Sequence, residues 1–381
     1  MFTRNNPWEY FDFPLFIAVC IISAFGVICI ASATHVNLGE SASTFYSQII
    51  WFIIGIGLLF FTTFVDYKSL SRFHFIFYGI NLLLLILVLL VGTNVNGATR
   101  WIRIGPIGIQ PSEFSKLILL FCLAKIIDKK KESINNINVL LFLIVYTMIP
   151  IILIQKQPSL SASLVILAIF LILVFCAGLS YKYILSALAV IIPLGTALVI
   201  DILREPHIWV DKILDTYQIN RILAFLDPSS DPDTYYQTMK SINAIGSGQL
   251  QGKGLFEGTL NQLSYLPEPH NDFIFSVIGE EFGFIGCIFV LTVLLFIIFR
   301  CVIIALSARD TFSQLIATGV AGMIAFQTFV NIGVATGILP NTGMSLPFVS
   351  YGGSSMWTNM VAIGLVLNIG RQRSKTLFEG V

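Results

Sequence analysis

The chain has 381 residues, 56% of them hydrophobic and 11% charged, with a net charge of +1 and a mean hydropathy of +0.85. So little polar surface excludes a soluble globular domain; the composition is that of an all-α, polytopic membrane protein, one integral-membrane domain over 1–381. The balanced charge is silent on polyanionic partners, and no nucleic-acid partner is expected.

The first apolar run lacks a basic leader and a small-residue cleavage site, so it reads as a retained helix. Runs at 14–32, 46–65, 74–91, 113–127, 137–154, 159–177, 182–200, 272–299, 313–338 and 345–369 give about ten transmembrane helices, at roughly 20 residues per span. The fourth is short, and its ends are expected to be embedded among neighbours. Six cysteines (Cys20, Cys29, Cys122, Cys176, Cys287, Cys301) lie in or beside these runs and read as small packing residues. With the N-terminus inside, the short inner connections hold 13 Lys and Arg against three outside. Both termini are therefore expected in the cytoplasm and the long loop 201–271 outside. In that loop, 207–225 has apolar residues at helical spacing and reads as an interfacial helix. The run 236–254 reads as a short helix followed by a glycine-rich turn.

Polar groups gather at the outer face. Glu113 and Lys116, three residues apart, share a helix face, either as a structural ion pair or as part of a site. Arg100 and Arg103 precede them, as headgroup anchors or as ligands. At the mouth of the eighth run, His270-Asn-Asp272 precedes Glu280 and Glu281. Carboxylates at a membrane boundary are costly and so are functional candidates. Asp272 also has a plainer reading as a helix N-cap, a task Asn271 could equally perform. Glu280 and Glu281 lie about 12–13 Å further along a helix and about 100° apart, which disfavours a dyad with Asp272. One is expected to face a polar cavity and the other a neighbouring helix. The last outer turn, 337–355, is rich in glycine and serine. Its amides could receive a diphosphate, or its small residues could simply allow close packing. Gln327 and Asn331 read as interhelical hydrogen-bond partners. No P-loop, dinucleotide fingerprint or Cys/His metal cluster is present, so an outer-face reaction would need an already activated, membrane-embedded donor.

These motifs in this order resemble the SEDS family of cell-wall polymerases (RodA, FtsW and SpoVE) over nearly the whole chain. The resemblance rests on Asn96-Gly-Ala-Thr-Arg-Trp-Ile102, Gln110-Pro-Ser-Glu-Phe-Ser-Lys116, Tyr236-Gln237, Ala244-Ile-Gly-Ser-Gly248, Leu266-Pro-Glu-Pro-His-Asn-Asp-Phe-Ile-Phe275, Gly279-Glu-Glu281 and Pro347-Phe-Val-Ser-Tyr-Gly-Gly-Ser-Ser355. The ending 358–368 looks more like the RodA branch, which serves cell elongation and shape, than like the division or sporulation branches. The resemblance implies a peptidoglycan glycosyltransferase that polymerises lipid II at the outer face of the bacterial cytoplasmic membrane. A class B penicillin-binding protein and other elongation or division machinery are the implied partners. It makes Asp272 the catalytic residue and gives functional roles to Arg100, Glu113 and Lys116; Arg103, Gln110, Ser350, Gly352, Gly353 and Ser354 are further substrate-binding candidates. His270, Glu280 and Glu281 are supporting. No cofactor or metal ligand is assigned, although a divalent cation, magnesium or manganese, would suit a diphosphate leaving group. Ser159 stands where the family commonly has an aspartate, so that residue's role does not carry over.

The expected mechanism is an inverting displacement, with Asp272 as general base on the attacking 4-hydroxyl. Arg100, Lys116 and Arg103 would stabilise the departing diphosphate, and Glu113 would orient Lys116. The competing readings are a lipid-linked precursor flippase and a non-catalytic scaffold. A flippase would need polar groups along its whole path, whereas these cluster at the outer half.

Overall fold

A computed structural model of the chain describes residues 10–35, 42–95, 98–105, 107–204, 210–212, 214, 216–227, 232–266 and 268–372. Its helices are α1 (Phe13–Ala33), α2 (Ala42–Phe64), α3 (Tyr67–Leu70), α4 (His74–Val91), α5 (Pro111–Lys130), α6 (Ile137–Gln155), α7 (Leu160–Cys176), α8 (Tyr181–Ile202), α9 (Thr216–Leu226), α10 (Pro232–Ser247), α11 (Thr259–Gln262), α12 (Ile274–Leu306), α13 (Thr311–Ala335) and α14 (Gly353–Arg371). Each predicted span overlaps one of them, although 345–352 of the tenth is not helical. Among the described residues seven helical segments, α1, α2, α3–α4, α6, α8, α12 and α13, are long and apolar enough to cross a membrane, and α7 is apolar but shorter. The more polar α5 and α14 are enclosed: α5 packs against α4, α7, α13 and α14, and α14 against α2 and α13. The predicted short fourth span is a 20-residue helix buried over most of its length. At the periphery, α8 buries only Asp201 and Ile202.

A small antiparallel sheet, β1 (Thr93–Val95), β2 (Ala98–Ile104) and β3 (Ile107–Ile109), joins α4 to α5. The all-helical expectation passed over it. The signal was the β-branched and aromatic content of Thr-Arg-Trp-Ile-Arg-Ile in β2, paired with β3 as Ile102 to Ile109 and Arg103 to Gly108. An added Cβ at Gly108 would lie 3.3 Å from the Trp101 ring, so the glycine lets the ring lie across the sheet.

Gly283, at φ +64, breaks α12. The carbonyls of Glu280 and Glu281 accept from Lys253 N and Gly254 N, each at 3.0 Å. On the other side of the break, Phe284 N and Ile285 N donate to the Gln249 and Leu250 carbonyls at 2.8 and 3.2 Å. The loop 249–254 thus supplies partners for four groups that the helical ladder leaves open, as a broken helix at membrane depth requires. Close approach depends on small residues: a Cβ on Gly252 (φ +79) would collide with the Glu281 carbonyl. Gly252→Ala is therefore expected to cost at least about 2 kcal/mol, from the strained backbone and the lost contacts. A fall in melting temperature in detergent checks this.

Candidate active site

The segment His270–Asp272 enters α12 by a turn whose backbone is gripped at three consecutive carbonyls. Tyr351 N donates to His270 O at 2.9 Å, Ser350 Oγ to Asn271 O at 2.7 Å, and Asn331 Nδ2 to Asp272 O at 2.9 Å. Asn331, almost wholly buried on α13, also donates to Met344 O at 2.7 Å, and Leu346 N donates to Ser350 Oγ at 2.8 Å. The 342–352 segment and α13 therefore clamp the backbone while leaving the Asp272 side chain to face the site. The N-cap position of α12 belongs to Phe273, so Asp272 is not its cap.

Asp272 is crowded yet keeps some solvent contact. Burial raises its pKa above the ordinary carboxylate value; Arg221 opposes this, Glu268 adds to it, and Arg100 opposes it. The Arg221 guanidinium and the Asp272 carboxylate flank Gly343 (φ +69). A Cβ there would lie 3.2 Å from Arg221 Nη1 and 3.3 Å from Asp272 Oδ2. Arg221 Nη1 also donates to Asn341 O at 3.2 Å. His270 sits edge-on to the Tyr351 ring at 5.4 Å between centroids, and burial lowers its pKa against a smaller upward pull from Glu268.

Lys116 Nζ and Glu113 Oε2 pair at 2.7 Å in the first turns of α5, nearly buried at 3% and 12% exposure. The carboxylate at a helix N-terminus also complements the dipole. Arg100 donates through Nε to Gln157 O at 3.0 Å and through Nη2 to Pro158 O, which ties β2 to the turn between α6 and α7.

The model of the cell cycle protein family that comprises FtsW, RodA and SpoVE matches residues 13–375. The chain belongs to this family. It is 37% identical over 367 residues to a probable peptidoglycan glycosyltransferase FtsW of Trichlorobacter lovleyi, covering 94% of this chain and 93% of that one. It is 34% identical over 374 residues to stage V sporulation protein E of Bacillus subtilis, covering 94% and 97%. A chain from a structure on the coordination of polymerization and crosslinking by a peptidoglycan synthase complex superposes with a TM-score of 0.79 at 32% identity, covering 97% of this chain and 100% of that chain. The rod shape determining protein RodA of Thermus thermophilus does so with a TM-score of 0.70 at 29% identity and the same coverage.

In this FtsW/RodA/SpoVE-family chain, the predicted residues fall into different places. Asp272, His270 and Ser350 come together, with Arg100 acting on Asp272 electrostatically. Arg103, three positions from Arg100 on a strand, lies on the opposite face and is exposed. Of the four residues proposed from 350–354 to bind diphosphate, three have a polar atom committed to the protein itself. Ser350 holds Asn271, Gly352 N donates to Gln48 Oε1 at 3.3 Å, and Ser354 Oγ accepts from Gln110 N at 3.0 Å. Gly353 lies against the Trp51 ring, where a Cβ would come within 2.9 Å. These contacts give the segment a framing role beside the site. Glu280 and Glu281 are both buried, Glu280 bonded to the external loop and Glu281 to α1. Glu280 Oε1 accepts from Lys253 Nζ at 2.7 Å and Leu260 N at 2.8 Å, and Oε2 accepts from Asn261 N at 3.0 Å. Glu281 Oε1 accepts from Ser32 Oγ of α1 at 2.5 Å. Ser159, in the position of the missing aspartate, is buried before α7. Among the described residues no group of three or more His, Cys, Asp and Glu side chains is placed to hold a metal ion.

One residue was missed: Arg221, a charge within the amphipathic loop segment 207–225. Asn331, expected to be an interhelical hydrogen-bond partner, is one, joining α13 to the turn before α12. Asn331→Leu removes donors from two carbonyls, expected to cost about 1–3 kcal/mol of stability. Loosening the turn should also lower kcat by about tenfold or more, since roughly 1 Å of misplacement can cost about 10². Turnover measured beside melting temperature separates the two effects.

Proposed function

We propose that the chain is a peptidoglycan glycosyltransferase that joins lipid II units into glycan strands at the outer face of the bacterial cytoplasmic membrane. The observation that carries this reading is the clamped His270–Asp272 turn, which presents an aspartate beside Arg221 and Arg100. The family relatives named as peptidoglycan glycosyltransferases support the same activity. The ionised Asp272 takes the proton of the acceptor's 4-hydroxyl as its oxygen forms the bond to the donor's anomeric carbon. The donor's carbon–oxygen bond breaks with inversion, and the undecaprenyl diphosphate leaves with the electron pair. Arg100 and Lys116 supply positive charge toward that anion, with Glu113 orienting Lys116. General-base action contributes about 10²–10⁴-fold, so the fixed geometry and charge must supply much of the rest.

The names of the similar curated proteins, FtsW and SpoVE, favour the division or sporulation branch over the RodA-like elongation role suggested by residues 358–368. A class B penicillin-binding protein is the partner this reading assigns, supported by the likeness to a chain from a peptidoglycan synthase complex. Purified protein with such a partner, given fluorescent lipid II, should yield long glycan products. Transfer of intact lipid II across proteoliposomes without product would instead support a flippase, and neither activity would support a scaffold. Selective co-purification with a division-type rather than an elongation-type transpeptidase tests the branch.

A further inference from the structure

Helix α9 of the external loop is held in place by its own contacts. Ile219 is buried with Ile202 and Val210, and Leu198, Leu214, Ile222 and Leu223 pack around them. Gln218, also buried, donates through Nε2 to Gln155 Oε1 of α6 at 3.1 Å. Val210 N donates to Asp201 Oδ2 at 2.9 Å, which ties the start of this segment to the end of α8. These contacts fix the rotation and depth of α9. Arg221, one turn beyond Gln218 and thus on the same side of the helix, turns inward to the 341–343 backbone.

Gly343 is the other half of the arrangement. Its N–H donates to Asn341 Oδ1 at 3.1 Å, while Asn341 O accepts from Arg221. At φ +69, and with a guanidinium and a carboxylate both within 3.3 Å of where a Cβ would stand, this position suits glycine. The missing side chain is what allows the loop cation and the site carboxylate to approach from opposite sides.

We propose that Arg221 is a positioning residue for the reaction: delivered by α9 across Gly343, it keeps Asp272 ionised and oriented as the base. The inference rests on the glycosyltransferase reading above. It makes the docking of α9 a condition for activity, because withdrawing the helix withdraws the cation. The charged and titratable groups facing Asp272 are Arg221 from α9, Arg100 from β2, and Glu268 and His270 from its own turn, with the Tyr351 ring behind His270. Of the two arginines, Arg221 has the larger effect on the carboxylate. An opposite charge favours the ionised form of a carboxylate, so its loss moves the ionisation to higher pH.

The test is the pH dependence of lipid II polymerisation by the full chain with its partner. Arg221→Gln keeps a donor for Asn341 O and removes the charge, Arg221→Lys keeps the charge, and Arg221→Met is a second neutral variant should Gln fail to fold. The neutral variant should lose activity at low pH and recover part of it as the pH rises, its acid limb displaced upward from wild type. The Lys variant should keep the wild-type limb. A neutral variant whose rate falls equally at every pH, with its limb unmoved, overturns the proposal and leaves Arg221 a structural contact. Absence of polymer from the wild type would overturn the glycosyltransferase reading itself, a distinct outcome.

Discussion

Asp272→Asn is expected to yield a folded protein whose lipid II polymerisation is slower by about 10²–10⁴-fold, the typical worth of general-base catalysis. The fold should survive because the turn is held through the carbonyls of residues 270, 271 and 272, none of which the substitution touches. The linkage sign supports the same outcome. Burial lifts the Asp272 pKa above the unfolded value, so the folded state binds its proton more tightly than the unfolded chain does. Ionisation above the folded pKa therefore costs stability, and a neutral amide removes that cost. The melting temperature at pH 7 should be unchanged or higher while turnover collapses. Asp272→Asn with near-normal turnover would remove Asp272 from the role of base.

Glu280→Ala is expected to have the largest effect on stability, a loss of about 3–5 kcal/mol of the kind seen when one partner of a buried ion pair is removed. Glu280 has no exposed surface and accepts from the Lys253 ammonium and from two amides at the start of α11. Its removal leaves the two amides unpaired and Lys253 with only Thr259 Oγ1, beside the break at Gly283 where loop 249–254 also completes the hydrogen bonding of α12. Loop and helix should loosen together. The measurement is thermal unfolding in detergent with limited proteolysis in the 248–263 region. Glu280→Gln keeps one acceptor and should lose less. A Glu280→Ala protein with wild-type melting and protection would show that this carboxylate does not fasten the loop.

The helices were legible because lipid imposes a simple rule, an apolar run of about 20 residues per span. The same rule hid the break in α12. Phe282-Gly-Phe-Ile-Gly286 reads as one uninterrupted apolar stretch, and only the apposed Gly248 and Gly252 explain why the backbone turns at Gly283. Asp272 was legible because a carboxylate at a membrane mouth is costly. Arg221 was not, since its 51-residue separation from Asp272 in sequence is closed only by the packing of α9 on α8 and α6. The 350–354 segment was ambiguous in the sequence. Glycine and serine suit an anion-binding turn and a tightly hydrogen-bonded frame equally, and the choice depends on which neighbours arrive. Here Gln48, Trp51, Gln110 and Asn271 arrive first.

The most direct test of Asp272 as the base is the pH–rate profile of kcat/KM for lipid II polymerisation by wild type and Asp272→Asn, measured side by side on folded protein. Wild type should lose activity as the pH falls through an acid limb set by a carboxylate with a pKa above the ordinary aspartate value. The residual activity of Asp272→Asn should lack that limb. The same limb at the same pH in both proteins would contradict Asp272 as the titrating base.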